Sequence, residues 1–139
     1  MVLATAWLAW QALWAHGGER EPLWRDLTAR TLGAPVRSQL AAFDELASLR
    51  AALGPSATVP PIDFQRRRAV LVAAGPRSSS AYVLDVTQVR EERRRIVVTI
   101  RERAPTVARP GNPQLAFPFR LLTLPRSDKP VELDWQGRS

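Results

Sequence analysis

Two runs of alternating apolar and polar residues, joined by a short charged segment, constrain this chain more than anything else in it. In "AYVLDVTQVR" Tyr82, Leu84 and Val86 alternate with Val83, Asp85 and Thr87. In the second run Ile96, Val98 and Ile100 alternate with Arg95, Val97, Thr99, Arg101 and Arg103. Side chains of an extended strand point to opposite faces in turn, so a period of two marks a strand with one face on a core. Between the runs, "REERRR" mixes Glu91 and Glu92 among its arginines, which suits a hairpin turn with local charge pairing. The spacing therefore predicts two paired strands whose arginines lie on the face turned from the core. A duplex-binding surface needs bases converging without acids, with a helix or aromatics aimed at the nucleotides. Binding of anions or nucleic acid through the Arg93 to Arg103 face is thus an alternative reading, and nucleic acid is not the expected partner.

The neighbouring segments extend this pattern. In "IDFQRRRAVLVAAG" Val70, Leu71 and Val72 form an unbroken apolar run between Arg68 and Gly75, as expected of a central strand covered on both faces. "LWRDLTAR" and "VRSQLAAF" read as two short strands broken by Gly33 and Pro35. The helix is in "DELASLRAALG": Asp44 is placed to cap it, Leu46, Leu49 and Leu53 share one face, and Gly54 with Pro55 ends it. That apolar face is narrow, which suits a helix lying on a sheet. "PSATVPP" reads as an extended loop and "GPRSSS" as a polar loop before the alternating run. Pro105, Pro110, Pro113, Pro118, Pro125 and Pro130 confine the last third to short, edge or interrupted strands. One such strand runs through Phe119, Leu121 and Thr123, and a closing one through Val131, Leu133 and Trp135, with Trp135 a core or edge cap. The expected fold is α+β and β-rich, an antiparallel sheet or sandwich-like domain with one main helix over residues 44–54.

Residues 1–16 stand apart, with no charged side chain and with Trp7, Trp10 and Trp14 on one helical stripe. The run is too short for a bilayer-spanning helix of about 20 residues. Residues 1–17 read either as a signal-like segment without its usual basic leader or as an interfacial N-terminal helix able to touch a membrane. The first reading places the protein in the cell envelope or outside it, the second leaves it cytoplasmic. Residues 18–22 read as a linker, and residues 23–139 as one domain.

Chemistry is hard to assemble from these residues. The chain has no cysteine, which excludes disulfides, thiolate zinc sites and thiol nucleophiles. Its one histidine, His16, cannot build a hydrolytic triad or a zinc centre within the domain. Asp63, Asp85 and Glu102 read as strand-edge or outward carboxylates, with Asp63 accepting hydrogen bonds from loop backbone. The serines of "RSSS" have no base beside them. No phosphate-cradling glycine motif is present. The expectation is a protein that is not an enzyme and needs no cofactor or metal. Its net charge of +7 comes almost wholly from arginine, scattered along the whole chain as a compositional bias would leave it.

The string "PPIDFQRRRAVLVAAGPRSSSAYVLDVTQV", then "IVVTIRERAPT" and "PQLAFPFRLLTLPRSDKPVEL", resembles the C-terminal domain of the protease complex subunit PrcB family. The likeness lies in Ile62-Asp63-Phe64, the apolar strand Val70 to Gly75, Tyr82, Val98, Ile100 and Glu102 with Pro105, and the segment from Gln114 through Pro118 to Leu122, Leu124, Pro125 and Arg126. It covers residues 60–135. The resemblance implies a non-catalytic, exported or envelope-associated module that accompanies a protease, so the expected partner is a protein, with a protease first among the classes to test. Partner contacts are expected from the loops at 75–81 and 109–117, through Arg77, Ser78, Ser79, Ser80, Tyr82, Arg109, Asn112, Gln114 and Phe117. Protease inhibition by the same loops is the alternative. Where many relatives carry T-G-G-Y, this chain has Ser79-Ser80-Ala81-Tyr82, and without glycines the loop has no residue that takes positive φ cheaply.

Overall fold

The computed structural model describes residues 22–138; the signal-like or helical segment 1–17 and His16 lie outside the described residues. In chain order the strands are β1 (Arg25–Asp26), β2 (Gln39–Phe43), β3 (Arg67–Ala73), β4 (Arg77–Ser79), β5 (Val83–Glu91), β6 (Ile96–Arg103), β7 (Pro113–Ala116), β8 (Phe119–Pro125) and β9 (Val131–Arg138). One α-helix, α1, spans Leu46–Leu53. The strands form a four-stranded sheet in the order β1-β8-β3-β2, a three-stranded sheet β5-β6-β9, and a two-stranded ribbon β4-β7. All pairings are antiparallel except β6 with β9, which is parallel. The expected β-rich, mostly antiparallel fold with one main helix is the fold observed.

The apolar pattern determines how these pieces stack. Val70 and Val72 of β3, with Leu122 and Leu124 of β8, face Leu84, Val89, Ile96, Val98 and Ile100 across the space between the two larger sheets. On the opposite side of the same β3–β8 pair, Ala69, Leu71 and Leu121 pack against Leu49 and Leu53 of α1. The unbroken apolar run of β3 follows, because both its faces are dry, whereas β8 buries Leu121, Leu122 and Leu124 and sets Thr123 among them as a hydrogen-bond acceptor for Arg67. The helix face is narrower than its sequence suggests: Leu46, which shares the stripe, stays partly exposed. Asp44 does not cap α1. Its N-cap is Glu45, in extended conformation and without a side-chain hydrogen bond, while Gly54 closes the other end with φ +113°.

Three local readings need correction. "LWRDLTAR" is a strand only at Arg25–Asp26, because Asp26 accepts a hydrogen bond from the Thr28 N–H (2.9 Å) and turns the chain into a 3-10 helix over Thr28–Arg30. The strand expected in "VRSQLAAF" is confined to β2. The alternation in β5 is also not continuous: a bulge between Val86 and Gln88 leaves Thr87 as an extra residue. The inward row therefore passes from Leu84 and Val86 to Val89, a one-residue shift that keeps both ends of the strand on the core.

The hairpin joining β5 to β6 forms as expected, with Glu92 donating its N–H to the Arg95 carbonyl (2.8 Å) around a tip of Arg93 and Arg94. No described residue other than glycine has positive φ, so this is not one of the primed turns usual in tight hairpins. Charge pairing organises the rest of the arginine run. Arg95 bonds to Glu92 and Glu132, Arg103 to Asp85, and Arg90 lies 3.7 Å from Glu92. The hydrogen bond from Arg95 holds the Glu92 carboxyl below its ordinary range. Its pairing therefore stabilises the fold above that range and is lost as pH falls through the lowered value.

The return to β9 is held by Arg68. This residue is buried and donates to the carbonyls of Ser127 (2.9 Å) and Lys129 (2.7 Å), fixing the crossover between the sheets. Pro130 then accepts the Ile96 N–H and begins the parallel ladder. Leu133 and Trp135 continue the inward row of β9, yet both are partly exposed, Trp135 by 41%. Trp135 sits on an edge strand, covering the rim more than filling the core.

Candidate functional site

The two segments read as separate contact loops come together as a single ribbon. "GPRSSS" is not all loop: Arg77–Ser79 is strand β4, paired antiparallel with β7, with Arg77 opposite Ala116 and Ser79 opposite Pro113. Beyond the strands the pairing continues through side chains. The Ser79 hydroxyl donates to the Pro110 carbonyl (2.9 Å) and accepts from the Ala81 N–H (3.1 Å). Ser80 donates its N–H to the Asn112 carbonyl (3.1 Å), and its hydroxyl accepts from the Asn112 N–H (2.9 Å). Short serines suit this turn-rich junction because their hydroxyls satisfy backbone groups that no ladder reaches.

Gly111 closes the junction. Its φ of +68° is a left-handed conformation that favours glycine, and a Cβ there would lie 2.5 Å from the Ala81 Cβ and 2.7 Å from the Ala81 nitrogen. Gly111→Ala should therefore push the 109–112 segment off β4 and destabilise the domain by roughly 1–3 kcal/mol. Hydrogen exchange checks this: the Ser80 and Ala81 amides should lose protection, while those of β3 should fall only with global stability.

Beneath the ribbon lies the residue most plainly misread in the sequence. Glu102 is not an outward carboxylate; it is fully buried, with 0% exposure. The alternation that sends Ile96, Val98 and Ile100 inward sends Glu102 inward as well, so the signal was present. Arg77 on β4 meets it with both arms of its guanidinium, Nε to Oε1 at 2.8 Å and Nη2 to Oε2 at 3.0 Å. The third nitrogen, Nη1, donates to the carbonyls of Ala74 and Pro76. The hydrogen bond to Glu102 raises the Arg77 pKa above its ordinary value. A planar two-point pair of this kind fixes direction as well as distance. It bolts β4, and with it the ribbon, to the end of the inter-sheet core.

The remaining expected contact residues divide by exposure. Ser78, Ser80, Arg109, Asn112 and Gln114 are exposed, Ser79 is buried, and Tyr82 and Phe117 are half-buried. The Arg109 N–H donates to the carbonyl and hydroxyl of Thr106, which closes a small turn ahead of the ribbon. Two exposed apolar side chains have no counterpart in the sequence reading: Leu115 on β7 is 69% exposed, and Val107, in the turn ahead of the ribbon, is fully exposed. Neither has a periodic signal, because each sits between prolines where alternation cannot build up.

Asp63 takes the role expected of it, accepting the Gln65 N–H on its side chain and the Arg66 and Arg67 N–H groups on its carbonyl. Among the described residues, no three His, Cys, Asp or Glu side chains gather as a metal-holding group, and no helix is long and apolar enough to cross a membrane. Comparisons of the chain with protein-family models, with curated proteins and with solved structures found no match.

Proposed function

We propose that this chain is a non-catalytic protein-binding module whose partner docks on the β4–β7 ribbon. The observation that carries the reading is the convergence of residues 77–81 and 109–116 into one ribbon, on which Ser78, Gln114 and Leu115 are exposed and which the Arg77–Glu102 pair ties to the core. Loops and ribbons held on a rigid β scaffold are favoured contact surfaces, and a largely exposed leucine on such a ribbon has the makings of an interface centre. The resemblance to the PrcB family makes an exported protease the first partner class to test. Accessory binding is preferred over inhibition because the ribbon is pinned along both strands by hydrogen bonds, whereas an inhibitory loop must project free of its scaffold into a cleft.

The test is affinity capture from envelope extract of the source cell with the native chain and with Leu115→Arg. A specific partner retained by the native chain and lost with Leu115→Arg is the expected result. Equal capture by both would overturn the ribbon as the contact surface. Proteolytic activity of a captured protease should be unchanged or raised; loss of activity would favour the inhibitor reading.

A further inference from the structure

At the far end of the β3–β8 pair from the ribbon, a cleft of about 490 Å³ opens between β1, the 3-10 turn and the loop that precedes β3. Arg25, Arg30 and Arg67 line it with Asp63, over apolar walls of Leu27 and Ile62. Arg25 opposes the charge of Arg67 in this hollow, which Arg30 also lines, and arginines brought together are ordinarily relieved by acids, as they are along the β5–β6 hairpin. Here they are not. Among the described residues, no carboxylate pairs with Arg25, Arg30 or Arg67, and Asp63 lies 3.9 Å from the outward Arg66.

Arg67 is held in place by neutral oxygens. Its Nε donates to the Thr123 hydroxyl (3.0 Å), and its Nη2 donates to the carbonyls of Leu23 (2.7 Å) and Thr123 (2.8 Å). These bonds fix the side chain without cancelling its charge. Desolvation first, and the nearby Arg25 second, lower the Arg67 pKa. Leu27 and Ile62 also pack on the core beneath α1, so the walls of the cleft are rigid.

We infer that this cleft binds a small organic phosphate ester, with its phosphoryl oxygens on Arg25, Arg30 and Arg67 and its organic part against Leu27 and Ile62. The charge matches: three guanidinium groups against the one carboxylate of Asp63 leave two positive charges, and a phosphate monoester carries about −1.5 to −2 near neutral pH. Arginine forks suit phosphate oxygens in pairs. The site is separate from the ribbon, lying at the Arg67–Pro125 end of the β3–β8 ladder while the ribbon follows the Ala73–Phe119 end.

Isothermal titration of the full chain at about 0.15 M salt, with phenyl phosphate as probe, tests it. One saturable site with a Kd of about 1 mM or tighter is expected. Arg25→Ala and Arg30→Ala, which leave the bonds made by Arg67 intact, should each weaken binding about tenfold. Arg93→Ala combined with Arg94→Ala, at the hairpin tip and outside the lining of the cleft, should change it less than about twofold, since at about 0.15 M salt exposed charges beyond about 8 Å are screened. Absence of saturable heat overturns the proposal, as does equal weakening by the hairpin-tip variant, which would show only attraction to a basic protein. Inorganic phosphate should bind more weakly than the ester; equal affinity would overturn the role of Leu27 and Ile62.

Discussion

Arg77→Ala should cost this domain about 3–5 kcal/mol of stability, more than Glu102→Ala, although the two residues form one ion pair. The asymmetry follows from their burial: the Glu102 side chain is 0% exposed, while that of Arg77 is 20% exposed. Removing Arg77 takes away the two-point guanidinium bond of a carboxylate that water cannot reach, so the lost pairing is not replaced by solvent. Removing Glu102 leaves a guanidinium at the rim, which keeps the carbonyls of Ala74 and Pro76 and can reach water; its loss should be nearer 1–3 kcal/mol. The pH dependence has a definite sign. In Arg77→Ala the buried carboxyl loses two hydrogen bonds that favour its charged form, so the deficit relative to the native chain should shrink as pH is lowered from 7 towards 4. Arg77→Met with Glu102→Leu together should be less destabilising than Arg77→Ala alone, because the buried carboxylate is then removed along with its cation. Urea unfolding of the four proteins at both pH values measures each of these. Equal, small losses for the two single variants would mean that the pair does not anchor the ribbon.

The second large effect is expected in the core. Leu122→Ala should destabilise by about 2–5 kcal/mol, and Leu71→Ala by a similar amount, since both side chains are fully buried and each truncation leaves a cavity. The two report on different layers: Leu122 packs between the sheets and Leu71 beneath α1. Leu46→Ala, on the same helical stripe as Leu49 but partly exposed, should cost under about 1 kcal/mol. Chemical denaturation distinguishes this two-layer arrangement from a single core. A Leu71→Ala loss as small as that of Leu46→Ala would place α1 off the sheet.

Much of this architecture is written in local pattern. The unbroken run at Val70–Val72, the alternation at Ile96–Ile100 and the helix ended by Gly54 each follow from sterics and burial within a few residues. Glu102 was legible too, since its parity is that of Ile100, and it was misread because a charge suggests an outward position. Other features have no local signal. The bulge at Thr87 is set by the need to keep Leu84 and Val89 on one core. The pairing of β4 with β7 and the bond from Arg77 to Glu102 join residues far apart in sequence, and serines or prolines carry no periodicity that would announce such partners. The parallel course of β9 depends on Arg68 gripping the Ser127–Lys129 crossover, which is likewise invisible from spacing alone. The candidate contact residues were therefore found as two loops, and only the fold makes them one surface.

The ribbon's role is tested most directly by site-specific photo-crosslinking in the source cell, with a benzophenone side chain placed at Leu115 in one protein and at Arg101, on the outer face of the β5-β6-β9 sheet, in another. A discrete protein adduct is expected from position 115 and none from position 101. An adduct from position 101 alone would contradict the ribbon's role.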